Sequence, residues 1–167
     1  GLVGSESTLG TIPAGMSNIW AREIGLDKRP LEAVQKMVLG DRRLIDTGRA
    51  GRRHFVLFIG YGIDAAVIQA VPSSAKDRLG AASYLIPAAR QALSWKPKPI
   101  AVRVDGVERM MDVLMAVVGN TRLYAGITKI TPIAIADDGQ LDACIYCGRG
   151  KRDIVFHAMR TLLQLHR

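Results

Sequence analysis

Apolar side chains crowd one stretch of this chain above all others. From Phe55 to Ala65 the sequence reads FVLFIGYGIDA, a run of β-branched and aromatic residues that breaks into Gly60-Tyr61-Gly62-Ile63-Asp64. Such a run predicts a buried strand, and the two glycines at its end allow a tight turn or close approach of the backbone to a ligand. Asp64 is thereby delivered to the end of the strand. A carboxylate is costly to bury unpaired, so it should face water, pair with a cation or bind a polar ligand. On these residues alone, a strand-end turn with a solvated Asp fits as well as a site does.

Thr8 to Ala14 is a short apolar segment running into Pro13-Ala14-Gly15, after which Ser17 or Asn18 caps a predicted helix through Ile24 that Gly25 closes. Pro30 in a first turn, an apolar face of Leu31, Val34, Met37 and Val38, and Gly40 past the end predict a second helix. Leu44 to Gly48 reads as a short strand leading into a basic loop. Beyond Pro72-Ser73-Ser74, a helix is predicted from about Asp77 to Trp95, with Pro87 near its start or at a kink, and Lys96 to Pro99 as a rigid linker. Ile100, Val102 and Val104 alternate, Asp105-Gly106 signals a two-residue hairpin, and Met111 to Gly119 returns as a buried strand. Asn120 to Lys129 is loop-like. Ile130 to Ala136, the Asp137-Asp138-Gly139 turn and Leu141 to Tyr146 predict another strand pair. Asp153 caps a last helix whose Ile154, Val155, Ala158, Met159, Leu162 and Leu163 share one face. Locally paired strands with a few helices predict an α+β fold with a largely antiparallel sheet or sandwich.

Composition narrows the class. A chain of 167 residues with 49% hydrophobic and 23% charged residues can bury one good core and part of a second lobe. No apolar run reaches the roughly 20 residues of a membrane-spanning helix, and no secretory signal pattern is present. A first residue other than Met and a last segment that stops inside a helical pattern predict a fragment of a longer chain. The net charge of +8 favours an anionic partner. Aromatics are only 5%, and the basic residues are dispersed except for Arg49, Arg52, Arg53 and His54, so nucleic-acid binding by base stacking is not expected. The cysteines, Cys144 and Cys147, sit in the alternating segment LDACIYCG, which puts residues three apart on opposite faces of a strand. They read as ordinary thiols in a reducing compartment.

Gly60-x-Gly62-x-x-Ala65 after a strand imitates a dinucleotide-binding fingerprint. That fold needs a second strand ending in an acidic residue about 20 positions on. Pro72-Ser73-Ser74 and Lys76-Asp77-Arg78 occupy the region instead, so the context fails.

Taken in series, LGTIPAGMSNIWAREIGL, LIDTG, FIGYGIDA, VVGN and ITPIAIADDGQLD resemble the bacterial diacylglycerol kinase and sphingosine kinase superfamily of lipid kinases, from about Leu9 onward. The resemblance implies the end of an α/β nucleotide-binding domain over residues 1–40 and, over residues 41–167, a β-sandwich lipid-binding domain truncated at its C-terminus. It places the family's Gly-Gly-Asp-Gly-Thr phosphate loop upstream of Gly1 and the catalytic acidic residue beyond Arg167, so the fragment alone is expected to be inactive.

The resemblance also implies site residues. Gly15 and Asn18 match a Gly-Thr-x-Asn-Asp segment that approaches the nucleotide, with Met16 where Thr is usual and Ile19 where Asp is usual. Asp46 matches an Ile-Asp-x-Gly carboxylate at the interdomain cleft, Gly62 and Asp64 match a Gly-x-Gly-x-Asp motif that reads the polar head of the lipid, and these three are the implied substrate-binding residues. Asp137 and Asp138 match an Asp-Asp-Gly-x-Leu-Asp turn that is a candidate magnesium neighbourhood. A turn pair and solvated acids fit those last positions equally. The implied reaction is phosphoryl transfer from ATP, with Mg²⁺, to the hydroxyl of diacylglycerol or a related lipid. The implied partners are the lipid, an anionic membrane surface and a homodimer mate, with no nucleic acid, and the implied location is cytoplasmic and peripheral to the membrane. The alternative is a non-catalytic lipid- or protein-binding relative, to which Met16 and Ile19 lend weight.

Overall fold

The computed structural model describes residues 2–15, 17–26, 29–70, 85–124 and 128–162. It contains two compact units, Gly1–Ile59 with Gly119–Asp142, and Gly60–Val118 with Ala143–Arg167. The expected α+β character is present: the strand pairs whose register is defined are antiparallel, and helices flank them.

The first unit begins with α1 (Ile19–Glu23) and α2 (Pro30–Leu39). Asn18 occupies the N-cap of α1 in a left-handed conformation but makes no capping bond, contrary to expectation, because its amide is bonded to Gly15 instead. Pro30 opens α2 as its fixed φ favours. The expected apolar face of α2 is not covered: Ala33 is its buried residue, while Leu31 and Val38 are 78% and 75% exposed. Leu44 to Thr47 is not a strand; pairing begins at β1 (Gly48–Ala50), which runs antiparallel to β2 (Arg53–Phe55). The basic loop is therefore a hairpin, turned at Gly51 with φ +60.

The apolar run does not form one strand. β2 stops at Phe55 and β3 (Phe58–Gly62) starts after Val56 and Leu57, whose carbonyls accept hydrogen bonds from Asn120. Asn120 to Lys129 includes the two-residue strands β6 (Leu123–Tyr124) and β7 (Thr128–Lys129). Ile130 to Ala136 is turn rather than strand: Ala134 N–H closes on Thr131 O, and Thr131 Oγ1 donates to Thr121 O.

In the second unit, α3 (Ile63–Ala70) follows β3 directly, so Asp64 lies in the first turn of a helix and not at a strand end. Gly62 makes the transition with φ +90, where a Cβ would collide with Leu114 O. α4 (Leu85–Ser94) supplies the described part of the expected helix and carries Pro87 in its first turn; Asp77 to Tyr84 lie outside the described residues. β4 (Lys98–Val104) begins inside the expected linker, with Pro99 tolerated because β4 is an edge strand. β5 (Val107–Gly119) pairs with β3, β4 and β8 (Asp142–Cys147). Its Val113, Leu114 and Val117 are 0–2% exposed, the burial expected of a central strand. The last helix, α5 (Lys151–Leu162), has Asp153 in its first turn rather than at its cap; Asp153 Oδ2 reaches back to accept Arg149 N–H at 2.8 Å and Gly150 N–H at 3.2 Å. Of the expected apolar face, Ile154 is half-buried, Val155 and Met159 are exposed, and Leu163 lies outside the described residues.

The β4–β5 turn follows its sequence signal closely. Asp105 and Gly106 take φ 48 and 83, the pair of positive values that a type I′ turn requires. Arg103 and Glu108, opposite one another, form an exposed ion pair at 2.6 Å. Gly106→Ala is expected to cost about 1 kcal/mol through left-handed strain alone. Asp105→Asn, which adopts that conformation readily, should stay within about 0.5 kcal/mol. Urea denaturation of both variants checks this, and equal stabilities would show that the turn does not govern the hairpin.

Candidate functional site

Asp64 is 8% exposed. The helix that carries it starts where Gly62 ends β3, which turns the Asp64 side chain back over the preceding strand. A Cβ at Gly60 would collide with Asp64 Oδ2, so the first glycine of the motif leaves room for the carboxylate and the second turns the backbone. Burial raises the Asp64 pKa from 3.8 to about 6. The charged form loses hydration there, which favours the proton. Gly62 and Asp64, expected together, are thus brought together, on a strand-to-helix junction.

In the first unit, Asp46 and the Asp137-Asp138-Gly139 turn meet. Asp46 Oδ2 accepts Gly139 N–H at 2.6 Å, and Asp46 N–H donates to Ala136 O at 2.7 Å. Asp46 therefore holds the turn in place. Asp137 pairs with Arg43 at 3.5 Å, and Asp138 Oδ1 accepts Gln140 N–H at 3.0 Å. Burial, and then the Asp138 charge, raises the pKa of Asp142. Among the described residues, no group of three or more His, Cys, Asp or Glu is disposed to hold a metal ion. With Asp137 already on an arginine, this donor set does not fit a magnesium cage made by the protein alone.

Gly15 and Asn18 also meet. Gly15 N–H donates to Asn18 Oδ1 at 2.8 Å, and Asn18 Nδ2 donates to Gly15 O at 2.6 Å. The reciprocal pair closes a tight loop, and Met16, one departure from the family pattern, lies outside the described residues. Cys144 and Cys147 are free and half-buried; burial, then Asp112, raises the Cys147 pKa.

Two residues that sequence reasoning left aside organise the first unit. Asn120 is wholly buried: its Nδ2 donates to Asp46 O at 2.8 Å and Val56 O at 3.2 Å, and its N–H donates to Leu57 O at 2.8 Å. Glu23, its side chain 7% exposed, accepts from Arg122 N–H and Nε and from Leu123 N–H. A lone Asn after the glycine of VVGN was the available signal for the first; an Arg at 122 gave none for the second.

The family described as the YegS C-terminal NAD kinase beta sandwich-like domain matches residues 58–164. The chain belongs to this family. Among curated proteins, this YegS-type chain is 29% identical over 142 residues to the diacylglycerol kinase of Bacillus subtilis (84% of this chain, 47% of that protein). It is 34% identical over 152 residues to the diacylglycerol kinase of Mycobacterium tuberculosis (84% and 48%). A protein of Chromohalobacter salexigens named "Probable lipid kinase YegS-like" is 28% identical over 141 residues (84% and 45%). The chain thus spans about half the length of these relatives. Among solved structures, a diacylglycerol kinase from Bacillus anthracis superposes with a TM-score of 0.70 at 24% identity, over 93% of this chain and 50% of that one, a likeness of fold. Among the described residues, no helix of the YegS-type chain is long and apolar enough to cross a membrane.

The raised pKa of Asp64 has a testable sign. The unfolded chain releases this proton near 3.8 and the folded protein near 6, so between those values the folded state binds more protons. Stability from this group is therefore highest below about pH 4 and is lost as the pH rises toward and through 6. Asp64→Asn should remove that decline. Urea unfolding of both proteins from pH 4 to 8 measures the difference, and parallel profiles would refute the assignment.

Proposed function

We propose that the protein from which this chain comes is a lipid kinase that transfers the terminal phosphate of ATP to the hydroxyl of diacylglycerol or a related lipid alcohol. The observation that carries this reading is the buried Asp64 carboxyl at a strand-to-helix junction, on the motif by which the sequence resembles lipid kinases. The lipid oxygen attacks the terminal phosphorus, the bond to the bridging oxygen breaks and ADP leaves. Such a reaction needs positioning and charge neutralisation more than covalent chemistry. Asp64 accepts a hydrogen bond from the lipid head and aims the attacking oxygen. A carboxylate whose pKa is near 6 is also better matched to taking up the alcohol proton than an ordinary one.

Gly15 and Asn18 are proposed to lie against the nucleotide, and Asp46 to act by holding the acidic turn. Mg²⁺, if carried by ATP, would neutralise phosphate charge; Asp137 and Asp138 could supply only part of its shell. Residues 41–167 are proposed to form the lipid-binding domain and residues 1–40 the end of the nucleotide-binding domain.

A second reading, a lipid- or protein-binding relative without catalysis, draws on Asn18, whose amide is engaged by Gly15, and on Ile19 in place of an acid. Phosphate transfer from labelled ATP to lipids in mixed micelles separates the two. The parent protein is expected to transfer and the 167-residue chain not to; Asp64→Asn should lower kcat/KM by 10²-fold or more. A folded parent that transfers nothing would favour the binding protein.

A further inference from the structure

α1 ends on a residue that its own helix does not favour. A carboxylate at a helix C-terminus meets the partial negative charge of the last carbonyls, so Glu23 depends on partners elsewhere. They lie far along the chain: Glu23 Oε1 accepts Arg122 N–H at 3.2 Å and Arg122 Nε–H at 3.0 Å, and Oε2 accepts Leu123 N–H at 3.1 Å. Five residues are too few for a helix to hold itself, so α1 keeps its place through such an anchor, with Ala21 as its buried residue. At the other end of α1, Asn18 is the N-cap and is tied to Gly15 by two hydrogen bonds. Gly15 and Asn18 therefore move with α1.

The segment that Glu23 grips is itself fixed. Asn120 and Thr121 are buried, Thr121 O accepts the Thr131 hydroxyl at 2.7 Å, and Arg122 O accepts Ile130 N–H at 3.2 Å. Asn120 Nδ2 holds Asp46 O, and Asp46 Oδ2 holds Gly139 N–H of the acidic turn. Residues 120–123 thus carry two parts of the candidate site at once: Gly15 with Asn18 through Glu23, and the acidic turn through Asn120 and Asp46. We propose that Glu23 is a positioning residue for nucleotide binding, which fixes α1 on residues 122 and 123 and so holds Gly15 and Asn18 at one place relative to the acidic turn. Its side chain is 7% exposed and both its oxygens are taken, so it acts through α1 rather than by touching the nucleotide. The proposal rests on the lipid-kinase reading in taking Gly15 and Asn18 to face the nucleotide.

Steady-state phosphate transfer by the parent protein, with ATP and lipid varied separately, tests it beside equilibrium binding of a fluorescent ATP analogue. Glu23→Gln removes the charge and sets an amide NH2 against one of the donors, while Arg122 stays in place. It should raise KM for ATP and Kd for the analogue on the order of 10-fold and leave KM for lipid unchanged. Arg122→Ala keeps both backbone donors to Glu23 and should raise the same two constants by a smaller factor. Tyr146→Phe, which removes the 2.7 Å bond to Thr161, controls for lost stability: its thermal midpoint should fall with KM for ATP unchanged. Equal rises in KM for ATP in Tyr146→Phe and Glu23→Gln would leave Glu23 a purely structural role and overturn the proposal. Unchanged nucleotide constants in Glu23→Gln would overturn it as well, and a rise in Arg122→Ala alone would make Arg122 a direct nucleotide contact instead. A change confined to KM for lipid would do the same. Should Glu23→Gln fail to fold, Arg122→Ala decides, and wild-type nucleotide constants in that variant would overturn the proposal. If the wild-type parent binds the analogue but transfers nothing, the kinase reading falls while the binding constants still decide this one; if it binds no nucleotide, both fall.

Discussion

The first unit depends on one buried amide. Its two stretches, up to Ile59 and from Gly119, are far apart in sequence, and Asn120 joins them through the carbonyls of Asp46, Val56 and Leu57. Each such bond contributes only about 1 kcal/mol net, but leaving a buried backbone carbonyl without its donor costs more than the bond contributes. An apolar residue at this position would therefore disturb several carbonyls at once. Glu23 works in the same way from the other side, a nearly buried carboxylate holding the backbone and side chain of Arg122. These polar clamps matter because the apolar core is small: among the described residues, Ala21, Ala33, Ile130 and Ala134 are the buried hydrophobic residues of this unit.

The same clamp explains where reading the sequence succeeded and failed. The Asp105-Gly106 hairpin was legible because two adjacent residues dictate both dihedral pairs, and the Pro30 to Gly40 helix because its start and stop signals are equally local. The FVLFIGYGIDA run was read as one strand, yet Val56 and Leu57 give their carbonyls to a residue more than sixty positions away. Nothing within the run announces that. Ile130 to Ala136 alternates like a strand but turns, since Thr131 spends its hydroxyl on Thr121 O. Apolar faces were also read too generously, and Leu31 and Val155 show that a stripe of correct period can remain exposed.

The candidate site was partly legible. Asp64 stood out as a carboxylate in apolar company, although its position in a helix rather than on a strand was not visible, because Gly60-Tyr61-Gly62 is compatible with either. The meeting of Asp46 with Gly139 depends on a long-range backbone contact that spacing cannot convey. The arginines before the central run were visible as a charge cluster; their placement on a paired β1–β2 hairpin required the fold.

The fit of Asp64 over Gly60 carries a consequence for how this pair of positions can change through descent. Space for the carboxylate exists only because residue 60 has no side chain. A lineage that first shortens residue 64 can then accept alanine at 60 at little cost, whereas the reverse order passes through a clash with the buried Asp64 carboxylate. The two positions are thus epistatic, and drift away from the acidic motif is easier to begin at the carboxylate than at the glycine.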